Sequence, residues 1–215
     1  QKVKIIPIYI GYEKILEGQS YLSELSGSQK KRESLLDPFK VLKDFNDYLG
    51  NAYLNFGKPL DLGKFLEDNV SQDFHIDSPL ERPEWLKPIT GLLGDEIIRS
   101  INNSAAVSTT SLFAISLLTD PTQALNRDTL KKRISFYLTL VNKSDTYKDI
   151  WLTETNPEEI ISKVENLRFI KHQLIGSDTV YKPTPSEVAS LSFYKNNISH
   201  IFMLYSLICE SVRYV

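Results

Sequence analysis

Cysteine is almost missing from this chain. A single residue, Cys209, excludes a disulfide within these 215 residues and any zinc cluster built on several thiolates. On an apolar helical stretch it reads as packing rather than as a nucleophile. Histidine is sparse as well. His75, His172 and His200 are the three present; none has a second histidine at metal-ligand spacing, and none sits in a His-Glu-x-x-His pattern. An excess of one charge is absent too. The formal net charge is −2, which argues against nucleic acid as a partner, because such binders are usually basic. Long hydrophobic runs are lacking. A membrane span needs roughly 18–20 apolar residues. The longest stretches, Ala105–Leu118 and Ile198–Cys209, are shorter, carry Ser, Thr or His, and both read as core helices. Gly-x-Ser-x-Gly, Gly-x-Gly-x-x-Gly and Gly-x-x-x-x-Gly-Lys are all missing, so a nucleophile elbow and the common phosphate loops are excluded. Gln1-Lys2-Val3-Lys4 leads into a strand rather than into the apolar core of a signal peptide.

What is present is ordinary globular composition, 41% apolar and 24% charged, with enough chain for a sizeable core in one or two domains. Its most telling segment is Ile5-Ile6-Pro7-Ile8-Tyr9-Ile10-Gly11-Tyr12-Glu13. A continuous apolar, β-branched run predicts a strand buried on both faces, as in a parallel sheet. Such a strand needs neighbours, and the expectation is that chain before it supplies them. Asn51–Phe56 predicts a second strand, Gly57-Lys58-Pro59 a turn, and Asp61 the cap of a short helix to about Asp68.

Helical spacing predicts helices over Glu13–Leu25, Ser28–Leu49, Ile89–Asn103, Ala105–Thr119 and Asp128–Val141. Glu13 would be a first-turn acid favoured by the helix dipole. Asn156-Pro157-Glu158-Glu159 and Thr184-Pro185-Ser186-Glu187 are helix starts, the second a capping box. The helix after Thr184 is expected to run to Arg213, and a small hairpin is expected within Leu174–Tyr181. Pro79, Pro83 and Pro88 mark 71–88 as a linker. Asn196 and His200, four apart on one helix face with Asn197 beside them, read as a buried hydrogen-bonded network, with reach toward an acyl or phosphate site as the other reading. Lys30-Lys31-Arg32 reads as a solvated cluster.

Ile6-Pro7-Ile8-Tyr9-Ile10-Gly11-Tyr12-Glu13 resembles the fourth block of the membrane-bound bacterial glycerol-3-phosphate acyltransferases, an apolar strand with a proline followed by Ile-Gly-Tyr-Glu. Further segments match in order. Tyr21-Leu22-Ser23-Glu24-Leu25 resembles the following helix, and Tyr53-Leu54-Asn55-Phe56-Gly57-Lys58-Pro59-Leu60 the family's strand and turn. Ile101–Leu118 resembles an Asn-then-Ala-rich helix pair, and Tyr194-Lys195-Asn196-Asn197-Ile198-Ser199-His200 a C-terminal helix. The helix before the second strand is strongly basic in that family, whereas Lys40–Gly50 here mixes Lys40 and Lys43 with Asp44 and Asp47.

The resemblance implies a fold class of α/β plus all-α. Residues 1–70 would be the C-terminal part of an acyltransferase α/β core, 71–88 a linker and 89–215 a mostly helical domain. It implies transfer of an acyl group from a thioester, acyl-CoA or acyl carrier protein, to sn-glycerol 3-phosphate, giving lysophosphatidate for phospholipid synthesis. No metal or bound cofactor is implied. The general base of such acyl transfer is a His held by an Asp, spaced His-x-x-x-x-Asp in this family. Leu80, Ser177 and Tyr205 follow the three histidines at that spacing, so the pair is absent. The chain is thus expected to carry no catalytic residue and to be inactive alone. Pro7, Tyr9, Gly11 and Tyr12 are the implied substrate-binding residues. The implied setting is peripheral contact with lipid at the cytoplasmic face of a bacterial inner membrane. A different reading is a non-catalytic helical module that docks on a membrane or a partner.

Overall fold

The computed structural model describes residues 3–15, 49–70, 82–144, 149–168 and 170–213. Most of the helices expected over Glu13–Leu25 and Ser28–Leu49, the Lys30-Lys31-Arg32 cluster, His75 and most of 71–88 lie outside the described residues.

Pro7 shapes the opening segment. It has no N–H to donate to a ladder, and the run divides into β1 (Lys4–Ile5) and β2 (Ile8–Tyr12). β3 (Ala52–Phe56) pairs with β2, and β4 (Leu60–Asp61) pairs antiparallel with β1, Lys4 opposite Asp61 and Ile5 opposite Leu60. The β2–β3 pair also runs antiparallel. Glu13 N–H donates to the Asn51 carbonyl at 3.0 Å, while Gly57 N–H donates to the Pro7 carbonyl at 2.8 Å. Between Ile5–Leu60 and Pro7–Gly57, Ile6 on one side faces both Lys58 and Pro59 on the other. That extra residue is a bulge, a place where a strand tolerates proline.

The expected strand buried on both faces of a parallel sheet is therefore corrected. Exposure alternates along β2, with Ile8, Ile10 and Tyr12 outward. A two-stranded antiparallel ribbon packs one face and leaves the other open, so alternation is its natural pattern.

The chain forms two compact units that follow contacts rather than chain order. The first gathers Gln1–Ile10, Tyr53–Ala106 and Lys148–Trp151. Here Asp61 caps α1 (Leu62–Asn69) by accepting from Lys64 N–H at 3.2 Å, and α1 packs on α2 (Leu86–Asn103). Residues 89–106 join this unit because the end of α2 is tied to β3: Asn55 Nδ2 donates to the Ser104 carbonyl at 2.9 Å. Tyr53 is buried and meets Trp151 edge-on at 5.4 Å.

The second unit gathers Gly11–Ala52, Val107–Tyr147 and Leu152–Val215. β5 (Ala106–Val107), which pairs with β7 (Trp151–Leu152), leads into α3 (Thr109–Leu118). All ten α3 residues are buried. A helix apolar on every side has no solvent face to show. Ser108 begins it by accepting from Ser111 N–H at 3.2 Å, later than the expected start at Ala105. α4 (Arg127–Asn142) turns Leu130, Ile134, Leu138 and Val141 inward, following β6 (Leu125–Asn126). Asn156 caps α5 (Pro157–Asn166). β8 (His172–Ile175) and β9 (Asp178–Tyr181) form the expected hairpin about Gly176, whose φ is +65°, and β6 pairs with the free side of β9. Arg127 binds α4, α5 and β9 together, reaching Glu158 at 2.6 Å, Glu165 at 2.7 Å and Tyr181 Oη at 2.7 Å.

α6 (Pro185–Arg213) starts at the expected capping box, where Thr184 N–H donates to Glu187 at 2.7 Å. It packs on α3 through Leu191, Tyr194, Ile198, Ile201 and Phe202. Met203, Leu204, Leu207, Ile208 and Cys209 are exposed, which corrects both the core reading of Ile198–Cys209 and the packing role of Cys209. The reason is length. At 1.5 Å per residue α3 spans about 15 Å and α6 about 43 Å, so α6 outruns its support. Among the described residues no helix is long and apolar enough to cross a membrane.

Among the described residues Ser116 Oγ, buried within α3, has no hydrogen-bond partner. Ser116→Ala removes that unpaired hydroxyl and is expected to raise stability by up to about 1 kcal/mol. Ser108→Ala removes a cap and is expected to lower it by about 1 kcal/mol. Chemical denaturation of the two variants beside the parent checks both signs.

Candidate functional site

The exit of β2 carries the residues that sequence reading singles out. Pro7 is buried, and its carbonyl holds Gly57. Gly57 is there for close approach: a Cβ on it would lie 2.7 Å from Ser104 Oγ and 3.3 Å from the Pro7 ring. Tyr9 is half-buried, donates to the Ala106 carbonyl at 3.4 Å, and has its phenol pKa pushed up by burial. Gly11 is half-buried. Tyr12 is 50% exposed, and strand alternation turns it to the side opposite Tyr9 and Gly11. The four residues do not share one surface. Pro7 is buried, Tyr9 and Gly11 are half-buried, and Tyr12 alone of the four is exposed.

Glu13 is not a first-turn helix acid. It sits in a bend and is 1% exposed. Its Oε2 accepts from Asn51 N–H at 2.9 Å and its Oε1 from the Thr109 hydroxyl at 2.8 Å; its carbonyl accepts from the Thr110 hydroxyl at 2.8 Å. The carboxylate thus lies beside the first turn of α3, where partial positive charge favours it. Gly50 makes room. Its φ is +71°, and a Cβ there would collide with Glu13 Oε2. Sequence reading missed Thr109, Thr110 and Gly50. The Ser108-Thr109-Thr110-Ser111 run is a visible polar interruption before apolar residues, but it names no partner.

Tyr194, in the last family-like motif, reaches the backbone two residues past the first. Its Oη accepts from Ile15 N–H at 2.9 Å, and burial pushes its pKa up to about 12, so it stays a neutral phenol. Lys14 Nζ donates to the Leu167 carbonyl at 3.2 Å. The buried network expected around Asn196 and His200 is corrected. Asn196 and Asn197 are exposed and His200 is only partly covered. The packed face of α6 follows Tyr194, Ile198 and Ile201, and two residues along a helix is more than half a turn away from it.

Chemically, this is an anchored strand exit. Both Glu13 oxygens are occupied by donors. Among the described residues no group of three or more His, Cys, Asp or Glu could hold a metal ion. Glu13→Ala would remove the acceptor of the buried Thr109 hydroxyl and of the part-exposed Asn51 N–H and is expected to cost on the order of 2 kcal/mol, with Glu13→Gln costing less because one acceptor remains. Gly50→Ala, strained at positive φ, is expected to cost at least about 1–2 kcal/mol. Urea unfolding of the three variants measures all of these.

Comparison with known proteins places this geometry in a lineage. Residues 21–214 match the family described as glycerol-3-phosphate acyltransferase, C-terminal region. A glycerol-3-phosphate acyltransferase of Pseudomonas aeruginosa (strain LESB58) is 33% identical over 212 residues, covering 97% of this chain and 25% of the relative. One from Pseudoalteromonas translucida (strain TAC 125) is 34% identical over 211 residues, covering 96% and 26%. The chain therefore spans about a quarter of the length of the curated relatives it matches. By the extent of these matches, the chain belongs to the glycerol-3-phosphate acyltransferase family and corresponds to its C-terminal region.

Proposed function

We propose that these residues form the C-terminal quarter of a glycerol-3-phosphate 1-O-acyltransferase. The observation that carries this is similarity along 97% of the chain to relatives of that name. In the proposed reaction the sn-1 hydroxyl oxygen of glycerol 3-phosphate attacks the thioester carbonyl of acyl-CoA or acyl-acyl carrier protein. A C–O bond forms, the C–S bond breaks, and the hydroxyl proton passes by way of a general base to the leaving thiolate. The base is the His of a His-x-x-x-x-Asp pair contributed by the rest of the enzyme. No metal or bound cofactor enters the scheme.

The part played by this chain is to shape the site. Of Pro7, Tyr9, Gly11 and Tyr12, we assign Tyr12 the contact with substrate, because it alone of the four is exposed and it stands at the end of its strand. Pro7, Tyr9 and Gly11 support it from within. Glu13 holds the exit in place through α3.

A second reading concerns the membrane. The exposed stripe Met203, Leu204, Leu207, Ile208 and Val212 on α6 favours peripheral contact with lipid, in keeping with a location at the cytoplasmic face of the inner membrane. Flotation of the chain with anionic liposomes, lost in Leu207→Glu, supports this; no flotation refutes it.

The purified 215-residue chain is expected to show no turnover with glycerol 3-phosphate and a long-chain acyl-CoA. A chimera in which these residues replace the matching region of the Pseudomonas aeruginosa enzyme is expected to be active. Tyr12→Ala in that chimera should lower kcat/KM about tenfold with an unchanged melting temperature, a loss of about 1.4 kcal/mol in transition-state stabilisation. Turnover by the chain alone, or an inactive but folded chimera, counts against the proposal.

A further inference from the structure

The outward face of the β2–β3 ribbon has no polar side chain at its centre. The register set by Gly57 on Pro7 puts Ile8 opposite Phe56 and Ile10 opposite Leu54. Directly opposed residues of an antiparallel pair point to the same side. These four are 41%, 61%, 57% and 54% exposed, respectively. Their neighbours on the inward side, Pro7 and Tyr53, are buried, and Tyr9 and Asn55 are half-buried and hydrogen-bonded within the unit. The ribbon is thus finished on one side and bare on the other.

Its edges tell the same story. Among the described residues β2 and β3 pair only with each other, so each strand keeps an unused edge. A two-stranded ribbon is marginal alone, and stability comes with a third strand or a helix against its apolar face. Contiguous exposed apolar surface of this kind marks an interaction site rather than a solvent surface.

We propose that Ile8, Ile10, Leu54 and Phe56 form the face on which the part of the full-length enzyme preceding this region packs. The inference rests on the reading of this chain as the C-terminal quarter of the acyltransferase. Three observations choose the occupant. The relatives carry about three times more chain than this region spans. The region matched is the family's C-terminal one, so the additional chain comes before it. A segment joined covalently to β1 meets this face at a high effective concentration that a separate partner cannot match. Packing there would also complete the sheet at its open edges and leave Tyr12, next along β2, at the margin of the covered area.

Thiol labelling tests this. In a Cys209→Ser background, Ile10→Cys and Leu54→Cys are each treated with a water-soluble maleimide, and the labelled peptide is followed by mass spectrometry. Both positions are expected to react readily in the 215-residue chain. In the chimera with the Pseudomonas aeruginosa enzyme they are expected to react at least about tenfold more slowly, as buried sites do. Equal rates in the two proteins overturn the proposal. So does protection in the isolated chain that grows with its concentration, which would identify a second copy as the occupant. Ile10→Glu with Leu54→Glu gives an independent measure. It should leave the melting temperature of the isolated chain unchanged while lowering that of the chimera; no change in either overturns the proposal. Activity of the parent chimera is read separately. An active chimera with unprotected thiols sinks the docking face alone, and a protected but inactive one sinks the functional reading alone.

Discussion

The complete burial of α3 is the constraint on which the second unit depends. Ten residues without a solvent face require cover on every side, and α4, α5 and α6 provide it. Such a helix is cheap to bury along its apolar body and expensive at its start, where free backbone N–H groups and hydroxyls must be satisfied. Ser108 accepts from the Ser111 N–H at the cap, and Glu13, from a distant point in the chain, accepts from the Thr109 and Thr110 hydroxyls. The Glu13 carboxylate pairs the Thr109 hydroxyl, the Glu13 carbonyl pairs that of Thr110, and the two bonds together fix the strand exit that delivers them. Packing and placement are one interaction here.

The same economy is visible at Tyr194 and Arg127. Tyr194 uses its ring for the α6 core and its oxygen to accept from the backbone just past Glu13. Arg127 starts α4 and ties three elements together through charge-assisted hydrogen bonds, at a site part-shielded from water where such bonds are stronger than on the surface. These polar anchors supply direction, whereas the hydrophobic contacts around them supply most of the stabilisation.

Much of this was legible beforehand, for local reasons. Asp61, Asn156 and the Thr184–Glu187 box all cap the helices that their spacing announces, because a cap involves residues within three or four positions of each other. Leu130, Ile134, Leu138 and Val141 line one face of α4 as their period requires. The hairpin at Gly176 and the end of α6 at Arg213 follow equally local signals. The readings that failed were about burial. Ile5–Tyr12 reads as buried on both sides, yet it alternates, and Ile198–Cys209 reads as core, yet half of it is exposed. Apolar character says that a residue prefers cover; it does not say whether the fold supplies any.

The candidate site divides along the same line. The Ile-Gly-Tyr-Glu block and the Tyr-Lys-Asn-Asn helix could be recognised from residue types in order, and so could the lack of a His-x-x-x-x-Asp pair, because these are properties of the chain as a string. That Glu13 is an anchor, that Tyr9 and Tyr12 part to opposite sides, that Asn196 faces outward, and that Ile15 finds Tyr194 were decided in three dimensions. The Glu13 and Ile15 contacts depend on partners far away in sequence, about 180 positions in the last case. A carboxylate's role is set by which donors surround it, and only the packed chain brings those donors within reach.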